Sequence, residues 1–157
     1  MESVTMNHRK SGQSLVEFAL VAPLFFLLVF GVIDFGRLFF TQATLQHALR
    51  EAGRYAVTGN KLPGTNPETS QPYTRVESIK QIAKEAAMGL DVSSVSVSSQ
   101  SGGAGSAGAP GDYVTVSITY TLQLITPIIG KFYNNGEHTF VAQTTFRNEP
   151  FNPSQTN

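Results

Sequence analysis

An apolar segment near the N-terminus constrains this chain more than any other feature. Residues 18–40 read FALVAPLFFLLVFGVIDFGRLFF, and a helix of about 23 residues rises roughly 34 Å, enough to cross a bilayer. Its two charges, Asp34 and Arg37, stand at i,i+3 spacing, so they can pair on one face while Arg37 reaches toward the interface. The segment is therefore predicted to be a transmembrane helix.

The residues on either side of this segment predict its orientation. Arg9 and Lys10 precede it, whereas the charges that follow are mixed in sign, so the positive-inside rule places the N-terminus in the cytoplasm. A cleavable secretory signal is the alternative, but its apolar region is usually shorter and an A-x-A site should follow. Here the residues after Phe40 continue a helical pattern instead. A retained single-pass anchor is favoured.

Composition excludes several classes of function. Only 14% of the 157 residues are charged, compared with roughly 25% in a typical soluble domain. Eleven basic residues balance eleven acidic ones, so no electrostatic footprint for nucleic acid is expected. Cysteine is absent, which excludes disulfides, thiolate metal sites and cysteine nucleophiles. The length allows one domain with a long appended element.

The helical pattern continues beyond the apolar segment. A narrow apolar stripe follows it, formed by Leu45, Ala48, Leu49, Ala52 and Ala56, and this spacing is typical of an amphipathic helix packed on a domain. We expect one transmembrane and stalk helix over residues 13–58.

The remaining residues, 59–157, predict a small α+β head. Apolar residues repeat at helical spacing over 76–87, and the period changes to two in segments 92–98, 113–124 and 139–147. The predicted fold class is α+β, with about three antiparallel strands whose apolar side is covered by the stalk helix and one further short helix.

Two connections in the head are unusual. Residues 98–111 read SSQSGGAGSAGAPG, which predicts a long hairpin loop or a disordered excursion. Residues 125–138 read ITPIIGKFYNNGEH, an apolar connection where polarity is expected. It is either a flap over the core or an exposed patch that contacts a neighbouring subunit or the membrane surface.

No residues suited to catalysis or cofactor binding are apparent. His8, His47 and His138 are widely separated. His47 and Glu51 could share a metal at i,i+4 spacing, but no third ligand is near them in the sequence. No G-x-S-x-G or H-E-x-x-H motif occurs. We therefore expect neither enzymatic activity, nor a metal, nor a cofactor.

The residues at the start of the apolar segment are the most distinctive part of the sequence. Glu17 lies at its cytoplasmic edge, and a charged residue at membrane depth costs up to about 2.5–3.5 kcal/mol, so it needs a partner or a function. It belongs to the string RKSGQSLVEFALVAP, in which Gly12 precedes Glu17 by five residues. This order resembles the class III signal of type IV pilin-like proteins, especially the TadE-like family of the tight-adherence (Flp) pilus system. The similarity continues through EFALVAP, DFGR and ALREAGRYA to residue 59.

The resemblance implies processing and assembly. In the family pattern, a prepilin peptidase removes the leader, here residues 1–12, by cutting between Gly12 and Gln13 on the cytoplasmic face. The new amino group of Gln13 would lie about 6 Å along the helix from Glu17, and we hypothesise that Glu17 pairs with this amine in a neighbouring subunit and sets the assembly register. Pro23 lacks an amide donor and clashes with the Ala19 carbonyl, so a kink is expected there.

The resemblance thus implies a nonenzymatic minor pilin or pseudopilin of a tight-adherence pilus. Its expected partners are the prepilin peptidase, other pilin-like subunits, the inner-membrane assembly machinery and the lipid bilayer. The head would lie in the periplasm, with incorporation into the extracellular pilus left open. The competing interpretation is an uncleaved single-pass adaptor or binding protein of the cell envelope.

Overall fold

A computed structural model describes residues 9–92, 94–126 and 134–152, except for the side chains of 9–11 and 134. The elements in chain order are α1 (Arg9–Ala56), β1 (Thr65–Asn66), β2 (Gln71–Pro72), α2 (Arg75–Ala86), β3 (Ser94–Ser99), β4 (Gly103–Ala104), β5 (Tyr113–Gln123), a 3-10 turn (Asn134–Gly136) and β6 (Glu137–Arg147). The α+β class, the long N-terminal helix and the short second helix are as predicted. Residues 1–8 of the leader and residues 127–133 of the apolar connection lie outside the described residues.

The chain divides into two compact units. Unit 1 comprises the residues up to Arg37 together with Gln123–Glu137, and unit 2 comprises Leu38–Leu122 with the residues from His138 onward. The boundary falls within α1, so the two parts of this helix belong to different units.

The hydrophobic core lies in unit 2. The predicted stripe of α1 is buried, with Leu45 1% and Leu49 4% exposed. It clusters with apolar side chains of α2, β3 and β5, including Ile79, Ala83, Val95, Val97, Val114, Val116 and Ile118. The alternation of β5 therefore separates a buried face from a polar one, as expected for a sheet covered on one side.

The main sheet has four strands in the order β4–β3–β5–β6. β3 and β5 pair antiparallel, in a register from Ser94 opposite Thr119 to Ser99 opposite Val114. The expected three strands correspond to β3, β5 and β6, with ends shifted by up to two residues. The fourth, β4, pairs with β3 and comes from the Gly/Ser/Ala-rich connection.

That connection is more ordered than the sequence predicts. Ser99 Oγ bonds to Ser106 Oγ at 3.0 Å and accepts from the Gly102 amide at 3.0 Å. The Asp112 carboxylate accepts from the amide and the hydroxyl of Ser101. Gly103 adopts a φ of 68°, a conformation that favours glycine. Short polar side chains thus organise a segment with few apolar ones.

Two further contacts fix the ends of the helices. Thr74 caps α2: its hydroxyl accepts from the Glu77 amide, and the Glu77 carboxylate accepts from the Thr74 amide, forming a capping box. Arg75 is buried and donates to the carbonyls of Ala56 at 2.9 Å and Gly108 at 2.6 Å. A cation at the C-terminal carbonyls of α1 is favoured by the helix dipole.

Candidate functional site

The N-terminal part of α1 exposes nearly all of its apolar side chains. Gly12–Ala56 is the one helix, among the described residues, that is long and apolar enough to cross a membrane. Phe18 is 69% exposed, and Leu20 and Leu24 are each 75% exposed. No other described part of the chain covers this surface, which supports the predicted membrane anchor by length, composition and exposure.

The predicted processing and assembly residues lie in the first turns of α1. The helix begins at Arg9, four residues before the predicted start, so Gly12 is helical. A Cβ built on Gly12 would meet nothing within 4 Å, so the interior of this chain does not require glycine there. Cleavage after Gly12 stays a prediction.

Gln13 and Glu17 are brought together by the helix. The Gln13 side-chain amide donates to Glu17 Oε1 at 3.0 Å, across i,i+4. Both residues are exposed, and among the described residues no basic side chain forms an ion pair with Glu17. Within the helix the Glu17 carboxylate therefore accepts from a neutral side-chain amide.

Pro23 lies within α1, which continues on both sides of it. Phe25, Phe26 and Phe30 follow, and their rings contact in sequence at centroid distances of 5.7 and 6.2 Å. The missing amide donor of Pro23 is thus tolerated in the helix. The predicted kink stays a prediction.

The best-defined polar site of unit 1 is centred on Asp34, which is only 3% exposed. Its Oδ1 accepts from the Ile125 amide at 2.8 Å. Its Oδ2 accepts from the Thr126 amide at 2.8 Å and from the Thr126 hydroxyl at 2.6 Å. The carboxylate therefore holds the second and third residues after the end of β5.

Arg37 completes this arrangement. Its Nη1 lies 3.3 Å from Asp34 Oδ1, forming the predicted i,i+3 pair, and also donates to the Gln123 carbonyl at 2.8 Å. We call Asp34 and Arg37, with the residues 123–126 that they bind, the Asp34 clamp. Sequence reasoning found the ion pair but missed the bound segment, because nothing local relates residues 91 positions apart.

Residues 123–124, at the end of β5, are hydrogen-bonded to residues 136–137, at the start of β6. The Leu124 amide donates to the Gly136 carbonyl at 2.8 Å. The Gln123 side-chain amide donates to Glu137 Oε1 at 2.6 Å. Residues 123–126 are thus bound on one side by α1 and on the other by the start of β6.

His47 and His138, the two histidines within the described residues, belong to no cluster of metal-ligating residues there. No group of three or more His, Asp or Glu residues there could hold a metal ion. The His138 ring packs edge-on against Phe140, with centroids 4.6 Å apart. His8 lies outside the described residues.

Comparison with known proteins finds a family match for the N-terminal segment. A family model described as TadE-like protein matches residues 12–54. The resemblance to the TadE-like family is confirmed over this segment, which contains Gly12, Glu17 and the Asp34–Arg37 pair. No curated protein and no solved structure matches the chain.

Proposed function

We propose that the chain is a minor pilin or pseudopilin, on the premise that a TadE-like family model matches its residues 12–54. It serves the assembly of a tight-adherence (Flp) type IVb pilus and does so without catalysis. The observation that carries the proposal is the extent of the match. It begins at Gly12, where a prepilin peptidase would cut, and includes both the exposed apolar part of α1 and most of its buried stripe.

The proposed topology is a single pass through the inner membrane. The N-terminus is cytoplasmic and residues 59–157 form a periplasmic head. Arg9 and Lys10 before the apolar segment support this orientation. The prepilin peptidase then meets the Gly12–Gln13 bond on the cytoplasmic face, and the other partners are pilin-like subunits and the inner-membrane assembly machinery.

Glu17 is the proposed assembly residue. Its contact within the helix is a neutral amide, and an uncompensated carboxylate in apolar surroundings is costly. Cleavage gives Gln13 a positive amino group, and the amine of one subunit can meet Glu17 of another when the two are staggered by about one helical turn. This pairing would fix the register between neighbouring subunits.

One observation favours the alternative of an uncleaved adaptor. α1 begins at Arg9, so the Gly12–Gln13 bond lies within a helix, whereas a bond in a protease cleft is generally extended. In the adaptor function the leader is retained and the head binds a partner in the envelope.

The N-terminus of the membrane-extracted protein distinguishes the two functions. We expect intact-mass spectrometry to find a chain beginning at Gln13 in cells with active prepilin peptidase, and at Met1 in cells without it. Gly12→Leu should block cleavage, whereas Gly31→Leu should not, although both glycines are helical and a Cβ meets nothing within 4 Å at either. An intact leader beside a processed major pilin would refute processing of this chain and favour the adaptor function.

The charge of Glu17 can be tested separately from its hydrogen bond. Glu17→Gln retains an oxygen that accepts from Gln13 but removes the charge, so we expect processing to continue and pilus assembly to fall at least tenfold, since the loss of one desolvated charge pair exceeds about 1.4 kcal/mol. Glu51→Gln is the matched control in the same helix, where Glu51 pairs with Arg54 at 2.9 Å. Normal piliation with Glu17→Gln would refute the pairing role.

A further inference from the structure

We propose that the Asp34 clamp holds the chain leaving β5 at the outer surface of the bilayer, with Ile125 in contact with lipid. The inference rests on the transmembrane placement of α1 in the proposed function, but not on cleavage or on pilus assembly. It assigns a membrane-contact role to a part of the chain that lies outside the TadE-like match.

The burial of Asp34 contrasts with that of its neighbours. Asp34 is 3% exposed, whereas Ile33 and Phe35 on either side are 44% and 62% exposed. The chain from β5 thus covers the acid and leaves adjacent apolar surface open. A carboxylate in water needs no such cover, but one facing acyl chains does, because its charged form is strongly disfavoured there.

The hydrogen bonds of Asp34 also fit a position that faces acyl chains. Ile125 and Thr126 supply three donors to its two oxygens, and the Arg37 guanidinium lies beside Oδ1. Asp34 therefore needs neither water nor a lipid headgroup to satisfy it. Arg37 keeps 37% of its side chain exposed, which suits a cation that reaches from the apolar region to the interface.

Ile125 places an apolar side chain beside this covered acid. Its amide binds Asp34 while 49% of the residue stays exposed. In the same unit, the four consecutive residues 25–28 are also exposed, and four successive positions of a helix with 3.6 residues per turn point to all of its sides. A second subunit would cover only one side of the helix, whereas lipid surrounds every side. The bilayer is therefore the partner that contacts these apolar side chains.

The absence of cysteine makes a direct measurement simple. We would introduce Ile125→Cys, attach a nitroxide and reconstitute the full chain in phosphatidylcholine–phosphatidylglycerol vesicles. Tyr113→Cys is the matched control, because Tyr113 is also 49% exposed and lies at the other end of β5. Power saturation should show the label at 125 more accessible to oxygen than to a polar nickel complex, and the label at 113 the reverse.

Two results would overturn the proposal. Access of the nickel complex to position 125 equal to that at 113 would place Ile125 in water. Spin–spin broadening at 125 that vanishes on dilution with unlabelled protein would assign the contact to a second subunit. Neither measurement depends on peptidase or pilus, so its failure is distinct from failure of the proposed function.

The clamp itself is tested with substitutions added to Ile125→Cys. Asp34→Asn retains the size of the side chain but turns an NH2 group toward donors, so nickel accessibility at 125 should rise severalfold. Thr126→Val removes only the hydroxyl contact and should produce a smaller rise. Near-ultraviolet circular dichroism checks that unit 2 is folded. Unchanged accessibility in a folded Asp34→Asn variant would show that the clamp does not position Ile125.

Discussion

The two parts of α1 have the same secondary structure but opposite surroundings. Leu28, in unit 1, is 63% exposed, whereas Leu49, in unit 2, is 4% exposed. The first part is apolar on every side, and the second has an apolar stripe with polar residues elsewhere. Helical periodicity therefore reports where protein covers a helix. A long helical segment that is apolar on every side, without this periodicity, indicates that the medium around it is not water.

The largest expected effect comes from shortening a leucine in each part. Leu49→Ala should lower the free energy of unfolding by about 2–5 kcal/mol, because it removes buried methyl groups and leaves a cavity. Leu28→Ala should change it by less than about 0.5 kcal/mol. Denaturant unfolding in detergent micelles, followed by near-ultraviolet circular dichroism, measures both. Equal effects would mean that the two parts of α1 do not differ as described.

A smaller effect is expected from adding one methyl group to a glycine in each part. A Cβ on Gly53 would overlap the Phe146 ring, whereas a Cβ on Gly36 meets nothing within 4 Å. Gly53→Ala should therefore cost about 1–3 kcal/mol through overpacking. Gly36→Ala should be neutral or stabilise by up to about 1 kcal/mol, since alanine favours helix. The same unfolding measurement applies, and stabilisation by Gly53→Ala would contradict the close approach.

The smallest effect concerns Asp112, a more exposed acid than the buried Asp34. Asp112 is partly exposed, and its pKa is lowered chiefly by the Ser101 hydroxyl. Because the folded pKa lies below the unfolded one, this contact contributes stability above the unfolded pKa and loses it as the pH falls through the folded pKa. The effect should be small, since water screens the charge.

Carboxyl carbon-13 shifts followed across acidic pH measure this titration. Ser101→Ala should raise the pKa of Asp112 toward 3.8, its ordinary value. Ser96→Ala, on the exposed side of β3, should leave it unchanged. If both variants titrate as the wild type does, Ser101 is not the cause of the shift.

Most of the elements could be predicted, and the exceptions have identifiable causes. The stripe through Leu45 and Leu49 and the alternation of β5 are local patterns that burial confirms. β4 was missed because Gly103 and Ala104 have no strand-forming side chains, so their pairing depends on β3. The capping box of α2 could have been found from its T-x-x-E signature, Thr74 to Glu77.

The sequence by itself determined the long apolar segment, the stalk stripe, the α+β class and the resemblance confirmed over residues 12–54, because each is encoded in side chains close together along the chain. Only the tertiary structure decided that Asp34 is covered by Ile125 and Thr126 and that Gly53 lies against Phe146. These contacts join residues about ninety positions apart, and the hydrogen-bonding and packing requirements that select them leave no periodic trace in either segment.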